Sequence, residues 1–172
     1  VTGGDAHSDG NAGTGRSAYT GAARIMPARI VKAARSWLGT PYHDQASVKG
    51  VGCDCLGLIR GVWREVIGPE PMPVPPYSRD WGEAGPREVL AEAARAAMVE
   101  IEVAEAHTGD VLLFRMRHGA IAKHAGILTN GRQNIHRFIH AYERTGVIEQ
   151  ELTDPWRRRI AFAFRFPFSP KT

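Results

Sequence analysis

Helical and strand-like periodicities are segregated along this chain, and that division limits the folds open to it more than any other feature. Up to about residue 98 the apolar positions recur every three or four residues. Beyond residue 110 they fall into short β-branched and aromatic runs separated by turn residues. A parallel sheet needs helices and strands to alternate, so the pattern predicts an α+β domain with helices packed on an antiparallel sheet. Ile30, Val31, Ala33, Ala34, Trp37 and Leu38 mark a first helix that opens near Pro27 and stops at Gly39. Leu58, Ile59, Val62, Trp63 and Val66 mark a second, opening at Asp54 or Cys55 and ended by Gly68 and Pro69. A third is expected over residues 86–98. About five strands follow, over residues 110–114, 124–128, 135–142, 146–152 and 160–166, with Asn130-Gly131 as the clearest hairpin signal.

Proline and glycine set the boundaries. Residues 68–86 hold six prolines, a density that excludes a helix or a central strand. This stretch is expected to be an extended loop anchored by Met72, Val74, Tyr77 and Trp81. Residues 1–26 are rich in Gly, Ser, Thr, Asp and Asn and are expected to be a flexible arm, with one domain over residues 27–168. Met26-Pro27 reads as an alternative start, which makes the first 25 residues an extension or a processed leader. A chain of 172 residues, 43% hydrophobic, can bury a core. No run approaches the roughly 18 apolar residues of a membrane helix, and no signal peptide is recognisable, so neither membrane insertion nor signal-directed export is expected. Two cysteines one residue apart exclude a disulfide scaffold. The net charge of +4 comes from scattered arginines with one dense cluster, Arg157 to Arg159. No aromatic pattern accompanies that cluster, so a solvated or protein-contact face is expected rather than a nucleic-acid site.

Chemistry concentrates in Gly52-Cys53-Asp54-Cys55-Leu56-Gly57-Leu58-Ile59. A cysteine at the start of an amphipathic helix meets unsatisfied N–H groups and the positive end of the helix dipole, which favour a thiolate of low pKa. The same groups suit an oxyanion. Helix context alone leaves Cys55 divided between a nucleophile and a buried core thiol. Two strand histidines bear on the choice. His124 precedes Ala125-Gly126-Ile127-Leu128, and His140 ends Phe138-Ile139-His140. If those strands pair, the rings lie side by side, one as base toward Cys55 and the other orienting it. Cys53 reads as structural, because Cys-x-Cys is not the usual zinc spacing and no third ligand is at hand. No metal or cofactor is expected. His43, His118 and His136 read as solvated.

The segment from Ala34 to Trp63 resembles the N-terminal signature of the NlpC-type cell-wall peptidases, a family of papain-like cysteine peptidases. The matching features are Leu38-Gly39-Thr40-Pro41-Tyr42, Asp54-Cys55-x-Gly57-Leu58, Gly109-Asp110-x-Leu112-x-Phe114, His124-Ala125-Gly126-Ile127 and Ile139-His140-Ala141. They span about residues 28 to 166 in the family's order. The wording Asp-Cys-Leu-Gly-Leu, with Gln45-Ala46-Ser47 upstream, is most similar to the branch encoded with phage tails and gene transfer agents.

The resemblance implies Cys55 as nucleophile, His124 as base and His140 as the residue orienting His124. It implies Tyr42 near the thiol and the oxyanion, and Asp54 as a receiver of the free amine of the stem peptide. Leu56 departs from the family's usual Ser and removes a hydroxyl near the substrate groove. The implied function is a cysteine endopeptidase of peptidoglycan stem peptides, cutting at the D-glutamyl–diamino acid bond. It would be made in the cytoplasm, carried in the tail of a phage-like particle among tail-tip or hub proteins, and act in the bacterial periplasm or cell wall. Two other readings stay open: a docking component of a tail tip that keeps the peptidase fold, and a papain-like amidase or acyltransferase.

Overall fold

Apolar spacing becomes helix at residues 26–35 (α1), where Ile30 and Ala34 are buried and Trp37 follows in the closing turn. The computed structural model describes residues 26–77, 85, 87–131 and 135–167. The expected arm up to residue 25, Trp81 and Pro86 lie outside the described residues. After α1 come a two-stranded hairpin, Ser47–Val48 (β1) with Gly52–Cys53 (β2), and the helix Cys55–Val66 (α2). The helix Val89–Ala97 (α3), the strand Val99–Ile101 (β3) and a 3₁₀ turn at Val103–Glu105 lead to Val111–Phe114 (β4). Then follow His124–Asn130 (β5), His136–Tyr142 (β6), Gly146–Glu151 (β7), a short helix Asp154–Arg157 (α4) and Ile160–Arg165 (β8).

The α+β class is as expected, and the large sheet is antiparallel. It has six strands rather than about five, in the order β3-β8-β4-β5-β6-β7. β4 to β7 form a meander, and β8 returns to lie beside β4. The strand not anticipated, β3, is a three-residue edge element paired with β8. Three residues are too few to display a period. α4 was likewise hidden in what reads as a turn and an arginine cluster. α3 begins at Val89, three residues later than expected. Glu88 does not cap it; its carboxylate accepts from Arg115 Nη2 and from Ala122 N at 2.8 Å instead.

Alternation sorts the strands onto two faces. Val111, Leu113, Ala125, Ile127, Ile139 and Ala141 pack with Trp37, Leu58, Val62 and Leu90 from the helices. Leu112, Phe114, Leu128, Phe138 and Ala163 form a second cluster on the other face, covered by Trp156 of α4. This alternation also fixes the β5–β6 register, with Ile127 opposite Ile139 and Asn130 opposite His136. The hairpin therefore closes after Asn130 as a longer loop, with Gly131 N donating to Ile135 O at 2.7 Å, and not as a two-residue Asn-Gly turn.

Candidate active site

Asp54 sets the start of α2. Its extended backbone makes it the N-cap, and its Oδ1 accepts from Gly57 N at 2.7 Å. Its Oδ2 accepts from Gln45 N at 2.8 Å and from the Tyr77 hydroxyl. The carboxylate is thus buried and held by three donors, with one acceptor position of Oδ1 left over. Tyr77 was anticipated only as an anchor of the proline-rich loop; it anchors that loop onto the residue beside Cys55. Replacing Tyr77 with Phe is expected to lower stability by about 1–2 kcal/mol in urea unfolding, since one hydrogen bond to a carboxylate is lost. An unchanged midpoint would show that the phenol does not fasten the loop to α2.

Gly57 explains the Asp-Cys-x-Gly spacing. A Cβ at this position would lie 1.9 Å from the carbonyl oxygen of Ala46. The chain before β1 is therefore pressed against the first turn of α2, with Ser47 Oγ donating to Gly57 O at 2.6 Å. Leu56, in place of the family's Ser, is partly buried and packs against the main core.

Cys55 is the first residue of α2, and its Sγ lies 3.8 Å from Lys123 O. The sulfur therefore rests against the opening residues of β5, where His124 begins. Burial pushes its thiol up to about 12, helped by the adjacent Asp54 carboxylate; the amides of Ala125, Leu56 and Cys55 pull the other way and are outweighed. The low thiol pKa expected from the helix start is thus overridden by desolvation. Cys53 is fully buried and also pushed up to about 12, first by burial and then by Asp54.

His124 and His140 are brought together, His124 Nε2 lying 2.7 Å from His140 Nδ1. Gly126 makes this possible, because a Cβ there would stand 2.8 Å from Phe138 Cδ2 and 3.3 Å from His140 Cβ. Their rings do not face α2. They alternate with Ala125, Ile127, Ile139 and Ala141 and turn to the second face, among Phe114, Phe138 and Trp156. Cys55 meets this strand at its first residues and not across the sheet. Trp156 lies 5.8 Å from His124 and 5.2 Å from His140, ring centre to ring centre. No sequence signal singled it out, because it sits in the unforeseen α4.

The covalent geometry of imidazole restricts the proton positions. With Nε2 of His124 turned to His140, its Nδ1 is the nitrogen nearer its own backbone and the one left to exchange a proton. For Nδ1 to accept a proton, Nε2–H must donate to His140 Nδ1, and His140 then carries its hydrogen on Nε2. That Nε2 is buried and has no hydrogen-bond partner among the described residues. Burial lowers both rings well below the ordinary imidazole value, with His140 adding repulsion at His124. Thiol and imidazoles are therefore uncharged at rest near neutrality.

Both rings bind their proton later than a free imidazole as pH falls, so the unfolded chain is protonated first. Stability is whole above about 6.5 and is lost progressively toward 4, by up to about 1.4 kcal/mol per pH unit for each histidine. Melting followed from pH 7 to 4 should show this fall, and His140→Gln should flatten it. An equally steep fall in that variant would place the acid sensitivity elsewhere.

Tyr42 lies beside β2, bridged to Cys53, and its hydroxyl donates to Asp44 Oδ1 at 2.9 Å. Its pKa is raised by burial, by that hydrogen bond and by the charge of a thiolate at Cys55. Among the described residues no group of three His, Cys, Asp or Glu side chains forms a metal-holding cluster. His43, His118 and His136 are exposed.

The NlpC/P60 family model matches residues 39–165. No curated protein matches the chain. Solved structures share the fold, three of them as follows. An NLP/P60-family protein from Staphylococcus aureus, described as similar to lipoprotein, has a TM-score of 0.55 at 23% identity, over 84% of this chain and 42% of its own. An NlpC/P60 family protein from Bacillus cereus gives 0.56 at 20% identity, over 81% and 40%. The peptidoglycan hydrolase RipB of Mycobacterium tuberculosis gives 0.51 at 22% identity, over 92% and 75%. The matched part is thus less than half the length of the first two proteins.

Proposed function

Since this chain belongs to the NlpC/P60 family, we propose that it is a cysteine peptidase that hydrolyses peptidoglycan stem peptides. The observation that carries the reading is the meeting of α2 and β5: the Cys55 sulfur sits against the carbonyl of Lys123, directly before a histidine whose Nε2 is held by a second histidine. Cys55 Sγ attacks the peptide carbonyl while its proton passes to His124 Nδ1. The tetrahedral oxyanion is held by the Cys55 and Leu56 amides at the start of α2, which Asp54 does not occupy, and by the Tyr42 hydroxyl once it turns from Asp44. His124 returns the proton to the departing amine, leaving a thioester on Cys55. Water, giving its proton to His124, attacks that thioester; the C–S bond breaks, the acyl half leaves as the acid, and His124 returns the proton to the sulfur. His140 keeps Nδ1 of His124 free for this traffic.

The bond we assign is the D-glutamyl–diamino acid link, on the resemblance of the Asp54-Cys55 and Tyr42 motifs. The branch resemblance of Gln45-Ala46-Ser47 and Asp54 to Leu58 extends the reading to a hydrolase carried on a phage-like tail. Purified peptidoglycan incubated with the protein should release fragments whose masses identify the cleaved bond. Fragments from glycan cleavage, or no release at all, would remove the peptidase reading.

A further inference from the structure

We propose that a cavity outside the catalytic residues, between the loop after β4 and the chain between α4 and β8, binds a phosphate-bearing ligand. The cavity measures about 470 Å³, within the range of small-molecule sites. Arg115, Arg117 and His118 line it from one side, and Arg158 and Arg159 from the other. Every titratable side chain lining it among the described residues is basic. Among the described residues only Arg115 of these has a carboxylate partner, Glu88. The side chains of Arg117 and Arg158 are exposed and make no hydrogen bond or ion pair among the described residues. Arg159 lies over the Trp156 ring, 5.5 Å from its centre, and makes no ion pair among the described residues.

Three guanidinium groups without an anion around one concavity repel one another, and they concentrate positive potential where an anion would enter. Their planar forks suit phosphate oxygens bidentately. One carboxylate would balance one of the three charges, whereas a phosphate monoester or a pair of phosphate groups balances two or more, so the charge count favours phosphate. The volume leaves room for the sugar or polyol that bears it. The cavity backs onto the histidine pair through α4, whose Pro155 lines it while the next residue, Trp156, packs on His124 and His140. A ligand here would hold a phosphate-bearing polymer beside the site without touching the reacting atoms.

The test is calorimetric titration of the full chain with tripolyphosphate, and with an acidic peptide of equal charge, over a series of salt concentrations. Saturable tripolyphosphate binding is expected, at least tenfold weaker in Arg117→Ser/Arg158→Ser and unchanged in Arg29→Ser, with melting temperatures alike. Arg117→Lys/Arg158→Lys should fall between, since charge is kept and the fork is lost. No saturable binding, equal loss in Arg29→Ser, or tighter binding of the acidic peptide would each overturn the proposal. None of these readings depends on hydrolysis, so the peptidase proposal and this one fail separately.

Discussion

His124→Ala is expected to lower kcat by about 10²–10⁴, the range for losing a positioned general base. The loss should be near the top of that range, because burial keeps the Cys55 thiol protonated near neutrality and another acceptor must then be found. His140→Ala should cost less: it removes the partner of His124 Nε2, 2.7 Å away, but leaves the accepting nitrogen in place. The two rings act as a unit, so His124→Ala/His140→Ala should be scarcely worse than His124→Ala alone. Kinetics of the two single variants and the double variant on one substrate decide it. Losses that multiply in the double variant would show that the histidines do not share a mechanism.

Gly57→Ala should cause the largest loss of stability from a single methyl group. The added Cβ would overlap the Ala46 carbonyl at 1.9 Å, a backbone atom that cannot rotate away. Relief requires the segment before β1 to leave the first turn of α2, breaking the contacts of Ser47 and Gln45 with Gly57 and Asp54. Overpacking of this kind costs about 3 kcal/mol. For a domain of this size that is roughly 6–12 °C in melting temperature. Gly85→Ala, with nothing within 4 Å of the added carbon, serves as the control and should melt as the parent does. A Gly57→Ala chain that melts with the parent would mean that the segment before β1 is not pressed onto α2.

What could be read in advance was local. The N-cap at Asp54, the cysteine after it and the glycine three residues on belong to one turn, so their spacing declares their geometry. Strand alternation placed His124 and His140 on one face, and the pairing of β5 with β6 made them neighbours. The face they would choose was not legible, because both sides of the sheet are apolar and only α4 distinguishes the second. Tyr77, Trp156 and Glu88 escaped for a related reason. Each acts on a partner distant in sequence, Tyr77 on Asp54, Trp156 on the histidine pair and Glu88 on Arg115, and no periodicity encodes such a contact. The thiol's protonation also depends on tertiary burial, which outweighs the helix-start effect visible in the motif.

The most direct measurement is the mass of the acyl-enzyme formed when the chain is mixed with a synthetic stem peptide and quenched in acid within a turnover. The account predicts an adduct equal to the acyl half of the substrate, mapped to the peptide containing Cys53 and Cys55. It should persist in Cys53→Ser and be absent in Cys55→Ala, which should also leave the substrate whole. An adduct on Cys53, or hydrolysis by Cys55→Ala at the parent's rate, would contradict it.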